Sequence, residues 1–567
     1  MAVPFEAQLI NPTQAISVGQ LNHLPIVAHF ARRLGLVETI NRLVTTQMEV
    51  EPGLIVLGLV LDTLSGRSPL YHVETAFEGC DRAVLFGREL PAAYFNDDNV
   101  GRMLDELFET GTQQIFSALS VTALERFSLA TQHVHFDTTS INLYGDYRSA
   151  EGEAAPFAIT HGYSKDQRPD LKQFVLSLLC VDGNVPIVGK LEDGNASDKT
   201  INHRLLGEVA AHMRTHGVAE DAFIYITDSA LVTEANLTQI GERTRFITRL
   251  PATYNEHERA ILSAIEADDW VEVGRIAQGP PTKNRPGACY RVHEGAVTLY
   301  GKDYRAVVVH SSAHDQRRQK RLERELRESR SEIEQRAQSC RKQTFFCRPD
   351  AEARAAEIQS QSTAYHSLAV HVQERPRYAP GRPKKGTPRV PIVTDYGLTT
   401  AIGEKHQEID KRRQLVGCFV LLSNLPGKEE HGYDPEQVLR TYKEQHAIER
   451  NFSFLKDDQI VNALFLKRPE RIEALGLILL IALLIWRLME QVMRTELQAR
   501  QATVPGWDNK PTARPTAYMV TWKFKGVLIL CVGKERMLAK PLTNTQKAFL
   551  QALQVPASCF TSSPPDG

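Results

Sequence analysis

DPEQVLRTYKEQHAIERNFSFLK, residues 434–456, reads as one helix presenting Tyr442, Glu449 and Lys456 along a single stripe. Asp434 suits the N-cap and Pro435 the first helical position, where a missing N–H costs nothing. Positions seven apart fall only ~20° short of two helical turns. Tyr442 and Lys456 are therefore predicted on one face, roughly 21 Å apart at 1.5 Å per residue, with the carboxylate midway. Val438, Ile448, Phe452 and Leu455 offer apolar anchorage beside that stripe. The carboxylate gains meaning from two earlier aspartates. Asp137 closes HVHFD (133–137) and Asp228 closes AFIYITD (222–228), both apolar strands. Three carboxylates from separate elements are the donor set of a two-metal phosphoryl-transfer site.

The rest of the chain sets the frame for that site. Its 567 residues allow several domains, and 42% hydrophobic with 24% charged residues is ordinary for a globular protein. A net charge of −1 gives no global nucleic-acid signal, so any DNA-binding surface must come from local clustering. The eight cysteines have no metal-ligand spacing and read as free thiols in a reducing cytosol. MAVPFEAQLI lacks the basic start and apolar core of a secretory signal. Ala474–Trp486 is apolar throughout but falls short of the ~20 residues that span a bilayer, which predicts a buried core helix and no membrane association.

The chain divides into five regions. Residues 1–130 form an N-terminal helical domain that could bind DNA, dimerise or simply pack. Residues 131–254 hold strands HVHFD, QFVLSLLCV (173–181) and VPIVGKLE (185–192), a helix near 201–216, then AFIYITD and RFITRL (245–250). Asp182-Gly183-Asn184 supplies the turn between the second and third strands. Residues 255–416 are an irregular insertion region. Within it, 317–348 carries eleven basic and five acidic residues and reads as a salt-bridged, solvated helix. RPRYAPGRPKKGTPR (375–389) is predicted as an exposed basic loop without regular structure, with Arg382, Lys384 and Lys385 as phosphate contacts. Residues 417–500 return to the catalytic fold with strand GCFVLLSN (417–424) and the Glu449 helix. Residues 501–567 are a mixed C-terminal region ending in TSSPPDG, expected to fray. The fold class is α/β, a mixed sheet with flanking helices.

A carboxylate at the end of a buried strand sits where open α/β sheets place ligands. If both strands share a sheet, Asp137 and Asp228 can converge on a hard divalent ion such as Mg²⁺, with Glu449 completing the site. Taken singly, each has a plainer reading: Asp137-Thr138-Thr139-Ser140 as an Asx-turn, Asp228 as a helix cap, and Glu449 as solvated helix surface.

Tyr442, Glu449 and Lys456 resemble the Tyr-x2-Arg-x3-Glu-x6-Lys signature of bacterial insertion-sequence DDE transposases, with Gln445 at the arginine position and His446 or Arg450 able to replace its contact. The stretch 161–200, with its Gly-Tyr-Ser-Lys-Asp, Arg-Pro-Asp and Gly-Asn-x-Ser-Asp pieces, is similar to the segment after the first catalytic Asp in that family. TDSALVTEANL (227–237) is similar to its second-Asp segment, and 465–490 to its post-catalytic helix. The resemblance implies an RNase H-like fold with an insertion between the second Asp and the Glu. It also implies that Asp137, Asp228 and Glu449 are catalytic and bind two Mg²⁺ ions, with Mn²⁺ able to substitute. Tyr442, Arg450 and Lys456 would contact DNA. The implied activity is hydrolysis at transposon ends, then attack of the freed 3′-OH on target DNA. Its partners would be terminal inverted repeats, target DNA and a second copy of the chain, in a bacterial cytoplasm and on the nucleoid. A nuclease without strand transfer and an inactive DNA-binding descendant are the alternatives.

Overall fold

The computed structural model describes residues 16–562, except 146, 148–154, 216–218, 220–221, 242, 277–286, 382–387, 431, 446–447, 458–465 and 533–534. MAVPFEAQLI, and TSSPPDG beyond Ser562, therefore lie outside the described residues. The chain is mixed α/β and folds as two compact units, one of residues Met1–Thr248 with Thr441–Gly567, the other Arg249–Arg440.

In the first unit, strand β1 (His133–Leu143) is followed by β2 (Lys172–Val181) and β3 (Val185–Glu192). Helix α1 (Asp198–Thr215) leads to β4 (Ile224–Ile226) and β5 (Arg245–Arg249). Helix α2 (Pro435–Glu444) spans the end of the second unit and the return of the chain to the first, and α3 (Ile448–Leu455) and α4 (Pro469–Ala499) follow in the first unit. The strands lie in the order β3-β2-β1-β4-β5. β2 is antiparallel to both of its neighbours, β1 and β3, whereas β4 runs parallel to β1, and β5 parallel to β4. The β2–β3 turn takes left-handed backbone at Gly183 (φ 76°) and Asn184 (φ 62°), the conformation that glycine and asparagine tolerate best.

Two expectations need correction. β1 does not stop at Asp137 but continues through Thr138, Thr139 and Ser140, all buried, so no Asx-turn forms there. The sheet accepts these hydroxyl residues because Lys165 and Asp198 bring polar partners to Thr138 and Ser140. The single helix expected over 434–456 is two segments, α2 and α3. No proline or glycine marks the division. What sets α3 is tertiary contact: Asn451 is fully buried and its amide donates to Cys180 Sγ (3.2 Å) and to the Asn184 carbonyl (3.0 Å). The expected N-terminus holds, since Asp434 and Gln437 exchange reciprocal side-chain to backbone hydrogen bonds as a capping box.

Helix α4 is apolar on nearly every face because it is surrounded. It is long and apolar enough to cross a membrane, yet 89% of its most apolar window is buried inside the protein, as expected of a core helix. It lies on β3 so closely that a Cβ on Gly189 would meet Leu480, and one on Gly476 would meet Leu191. Its other faces take the N-terminal helices Leu24–Leu34, Pro52–Ser65 and Asp97–Thr110. Arg471 clasps Asp105 through two hydrogen bonds (2.8 and 2.7 Å) at that junction. Within this apolar helix, Arg487 and Glu490 are buried and joined at 2.6 Å. Arg487 Nε donates to Asn451 Oδ1 (2.5 Å), while Glu490 also accepts from Arg494 and the Ala517 N–H.

The second unit holds an antiparallel sheet in which Cys418–Ser423, the strand expected in GCFVLLSN, pairs with Lys302–Ser311. That strand pairs with Cys289–Leu299, which pairs in turn with Val271–Arg275. A smaller sheet joins Thr344–Phe345, Val393–Glu404 and His366–Arg377. Helix Ser312–Arg341 carries the expected i,i+4 ion pairs, Arg321–Glu325 and Arg330–Glu334 among them, but is not solvated all round. Its Ile333, Ala337 and Cys340 pack into a core with Leu368, Val370 and Leu398 of the smaller sheet. The basic stretch 375–389 begins inside strand His366–Arg377, because Arg377 pairs with the buried carboxylate of Asp395 (2.7 Å); this corrects the expectation of no regular structure. All eight cysteines are free thiols.

Breaking a buried ion pair leaves an uncompensated charge, typically at a cost of 3–5 kcal/mol. Arg487→Met should therefore cost roughly 3 kcal/mol in chemical unfolding and raise hydrogen exchange across 448–455. A loss below about 1 kcal/mol with unchanged exchange would show that α3 is held by apolar contacts alone.

Candidate active site

The parallel register of β1 and β4 brings two of the expected carboxylates together. His135 pairs with Ile226, and β4 ends there. Carrying that register two residues further sets Asp137 beside Asp228, at the point where β4 leaves the sheet and exposes the flank of β1. Asp228 is pinned by its neighbours: its side chain accepts from the Ala230 N–H (3.0 Å) and its carbonyl from Thr248 Oγ1 (2.5 Å). Asp228 caps the short turn Ser229–Leu231 and not the helix in VTEANLTQI, which is capped by Thr233. Asp137 Oδ1 accepts from the Thr138 N–H (2.8 Å).

Both aspartates are half-buried and both are perturbed. Burial pushes the Asp137 carboxyl up to about 7; Lys165 and the Thr138 N–H act against this, while Asp228 and Asp198 add repulsion. Burial likewise raises Asp228, opposed by the Ala230 N–H, with Asp198 raising it further and Lys165 lowering it. Two neighbouring acids that both resist ionisation, each repelled by Asp198, fit a hard divalent cation, which would relieve the repulsion.

Asp198 and Lys165 are not singled out by the sequence. Asp198 opens α1, and α1 is fixed to β4 through the buried Asn202, whose side-chain oxygen accepts from Tyr225 (3.0 Å). Lys165 lies in a loop laid against β1: its N–H donates to Ser140 Oγ (3.0 Å), and Ser164 Oγ donates to Asn142 (3.2 Å). The available signal is the cluster of polar residues in Gly-Tyr-Ser-Lys-Asp and Gly-Asn-x-Ser-Asp, which has no periodicity to read.

Glu449 stands in the first turn of α3, a helix that packs on β1, and its side chain is exposed. The carboxylates that raise Asp137 are those of Asp228 and Asp198. The Glu449 stripe turns toward that group. Lys456, seven residues on, pairs with Asp166 (2.6 Å), the neighbour of Lys165. Arg450 is exposed on α3, and Tyr442 is half-buried on α2 with Gln445 just beyond. His446, Arg382, Lys384 and Lys385 lie outside the described residues.

A second group could be mistaken for a metal centre. His133, Asp182 and Glu444 present ligand atoms within 4.8 Å of one another. Burial disfavours the charged ring, but hydrogen bonds to Asp182 and Glu444 outweigh it and raise His133 to about 9. The group is an ion triad joining β1, the β2–β3 turn and the end of α2.

Residues 16–121 match the model of a domain of unknown function, DUF4277. That stretch is the N-terminal helical block and contains none of the carboxylates above. No curated protein matches the chain.

The triad makes a pH prediction. A ring raised from 6.5 to about 9 stabilises the fold fully below pH 6.5, and that contribution is lost as pH rises through 9. The stability gap between wild type and His133→Gln, measured by urea unfolding, should shrink steadily from pH 7 to pH 10. A gap that stays constant over that range would remove the charge from the account.

Proposed function

We propose that this chain is a DDE transposase with an RNase H-like catalytic domain, cutting DNA at the ends of a mobile element and joining the freed 3′-OH to target DNA. The observation that carries the reading is the closeness of the Asp137 and Asp228 carboxyls, the first on β1 and the second just past the end of the parallel strand β4, with the Glu449 helix packed on β1. Support for the fold side comes from the strand order β3-β2-β1-β4-β5 and its change from antiparallel to parallel at β1. Support for the sequence side is the match of Tyr442, Glu449 and Lys456 to the family signature in identity and spacing.

Asp137 and Asp228 would hold divalent metal, with Glu449 contributing from α3, and the bound ions would supply the charge that activates the attacking oxygen and steadies the leaving one. The protein's own contribution is position. The sheet fixes the spacing of the two aspartates, and the Ala230 and Thr138 N–H groups orient them. Attack by water or a 3′-hydroxyl in line with the leaving oxygen needs no covalent enzyme intermediate, so no Ser or Tyr nucleophile is assigned. Lys456 and Arg450 lie on the same short helix as Glu449 or at its end, suited to phosphate contacts. For Lys456 that contact exchanges one anion, Asp166, for another. Two ends must be held together for joining, so the working form would be a dimer on DNA.

The test is cleavage of a labelled fragment ending in the element's own terminal repeat, with Mg²⁺ and a supercoiled target. Asp137→Asn, Asp228→Asn and Glu449→Gln should each fall below a hundredth of wild-type cleavage, the ~10²–10³-fold scale of lost transition-state charge stabilisation, while repeat binding persists. Near-full cleavage by any one variant would remove that residue from the site. Cleavage by wild type without joined products would point to a nuclease, and repeat binding without cleavage to an inactive descendant.

A further inference from the structure

Lys165 is unusual among lysines in where it directs its hydrogen bonds. An ammonium has three donors and normally keeps them in water. Here Nζ donates to the Thr138 carbonyl (2.8 Å) and to Thr138 Oγ1 (2.7 Å), and pairs with Asp198 Oδ2 at 3.3 Å. Thr138 Oγ1 in turn donates to Asp198 Oδ1, which closes the ring of contacts. Thr138 follows Asp137 directly in β1, and the ammonium's charge reaches both Asp137 and Asp228. The loop cannot drift, because Lys165 is held at its own backbone by Ser140 and its neighbour Asp166 is held by Asn142 (3.2 Å) and Lys456. A cation whose donors are all engaged by the protein is poorly placed to grip a phosphate. Beside three carboxylates, its effect is to balance their charge.

We propose that Lys165, tethered by Asp198 and Thr138, is a built-in counter-cation for the Asp137–Asp228 pair that competes with divalent metal for it. The inference rests on the metal-binding reading given under the proposed function. It assigns Lys165 and Asp198 as positioning residues: they hold the acidic cluster together when metal is absent, and they set the affinity with which metal enters. A purely structural lysine would act the other way, since its loss would loosen the site and weaken the binding of an ion.

The experiment is calorimetric titration of the full chain with Mn²⁺ alone, with thermal unfolding of the same samples in the absence of metal. Lys165→Met should bind Mn²⁺ about tenfold more tightly than wild type, through loss of one nearby positive charge, and should unfold at a lower temperature without metal. Lys165→Gln keeps a donor amide and should show the same gain, and it reads the effect if the methionine variant does not fold. Lys165→Arg keeps the charge and should bind as wild type does. Equal or weaker binding by both neutral variants, with Asp137→Asn abolishing binding, would overturn the counter-cation role and leave the metal site standing. Failure of both wild type and the neutral variants to bind Mn²⁺ would instead remove the metal site itself and this inference with it.

Discussion

One buried ion pair orders much of the first unit. Arg487 and Glu490 sit in a helix that is otherwise nearly all hydrocarbon, where an unpaired charge could not be tolerated. The pair is satisfied by Arg494 from the next turn of the same helix and by two other segments that come to it, Asn451 from α3 and the Ala517 N–H from the chain beyond. Asn451 donates its amide to Cys180 near the end of β2 and to Asn184 in the β2–β3 turn. Helix α3 is thereby clamped between the longest helix and the sheet. Residues two apart on a helix point roughly 200° apart, so burying Asn451 drives Glu449 outward. The exposure of Glu449 is a consequence of that clamp.

The site inherits its electrostatics from the same need for partners. β4 is only three residues long, so β1 is left uncovered by β4 beyond His135. The polar stretch Thr138–Ser140 then needs partners from outside the sheet, and the Lys165 loop provides them. The features that give two aspartates room to converge also draw a cation toward them. The perturbed acidity of Asp137 is a result of this shape, since burial by the sheet outweighs what one ammonium restores. The His133 triad shows the opposite balance a few residues earlier on the same strand. There two carboxylates outweigh burial, and the ring stays charged.

Much of this frame is legible in the residues. β2, β3 and β5 are readable because apolar, β-branched runs are bounded by turn chemistry, and α4 because thirteen consecutive apolar residues can only be buried or in lipid. Asp137 and Asp228 are readable because a charge at the end of such a run is conspicuous. The hidden features have a common cause. The second half of β1 is polar, and polarity predicts a turn unless the partners of Thr138 and Ser140 are known. The burial of Asn451 on α3 depends on contacts in segments remote in sequence. Lys165 and Asp198 belong to loops and helix ends, where no period distinguishes a residue that converges from one that faces water.

Sequence distance and structural membership also part company here. Asp228 and Glu449 are separated by the whole Arg249–Arg440 unit, yet both belong to the first unit. The smaller sheet of the intervening unit closes a hydrophobic core with its own helices, so that part can satisfy its apolar surface locally. The first unit cannot: α3 and α4 are needed to cover β1 and β3, and they arrive only after the interruption. Closing such a loop costs little extra for each doubling of its length, so a long insertion is tolerable in equilibrium terms while non-local contacts slow folding. The Asp137–Asp228 pair, on β1 and just past β4, can therefore form from contiguous chain, whereas the Glu449 helix takes its place only when α4 packs and the Arg487–Asn451 contact closes. Glu449, proposed as the third carboxylate, is thus the residue whose placement depends on the completed fold.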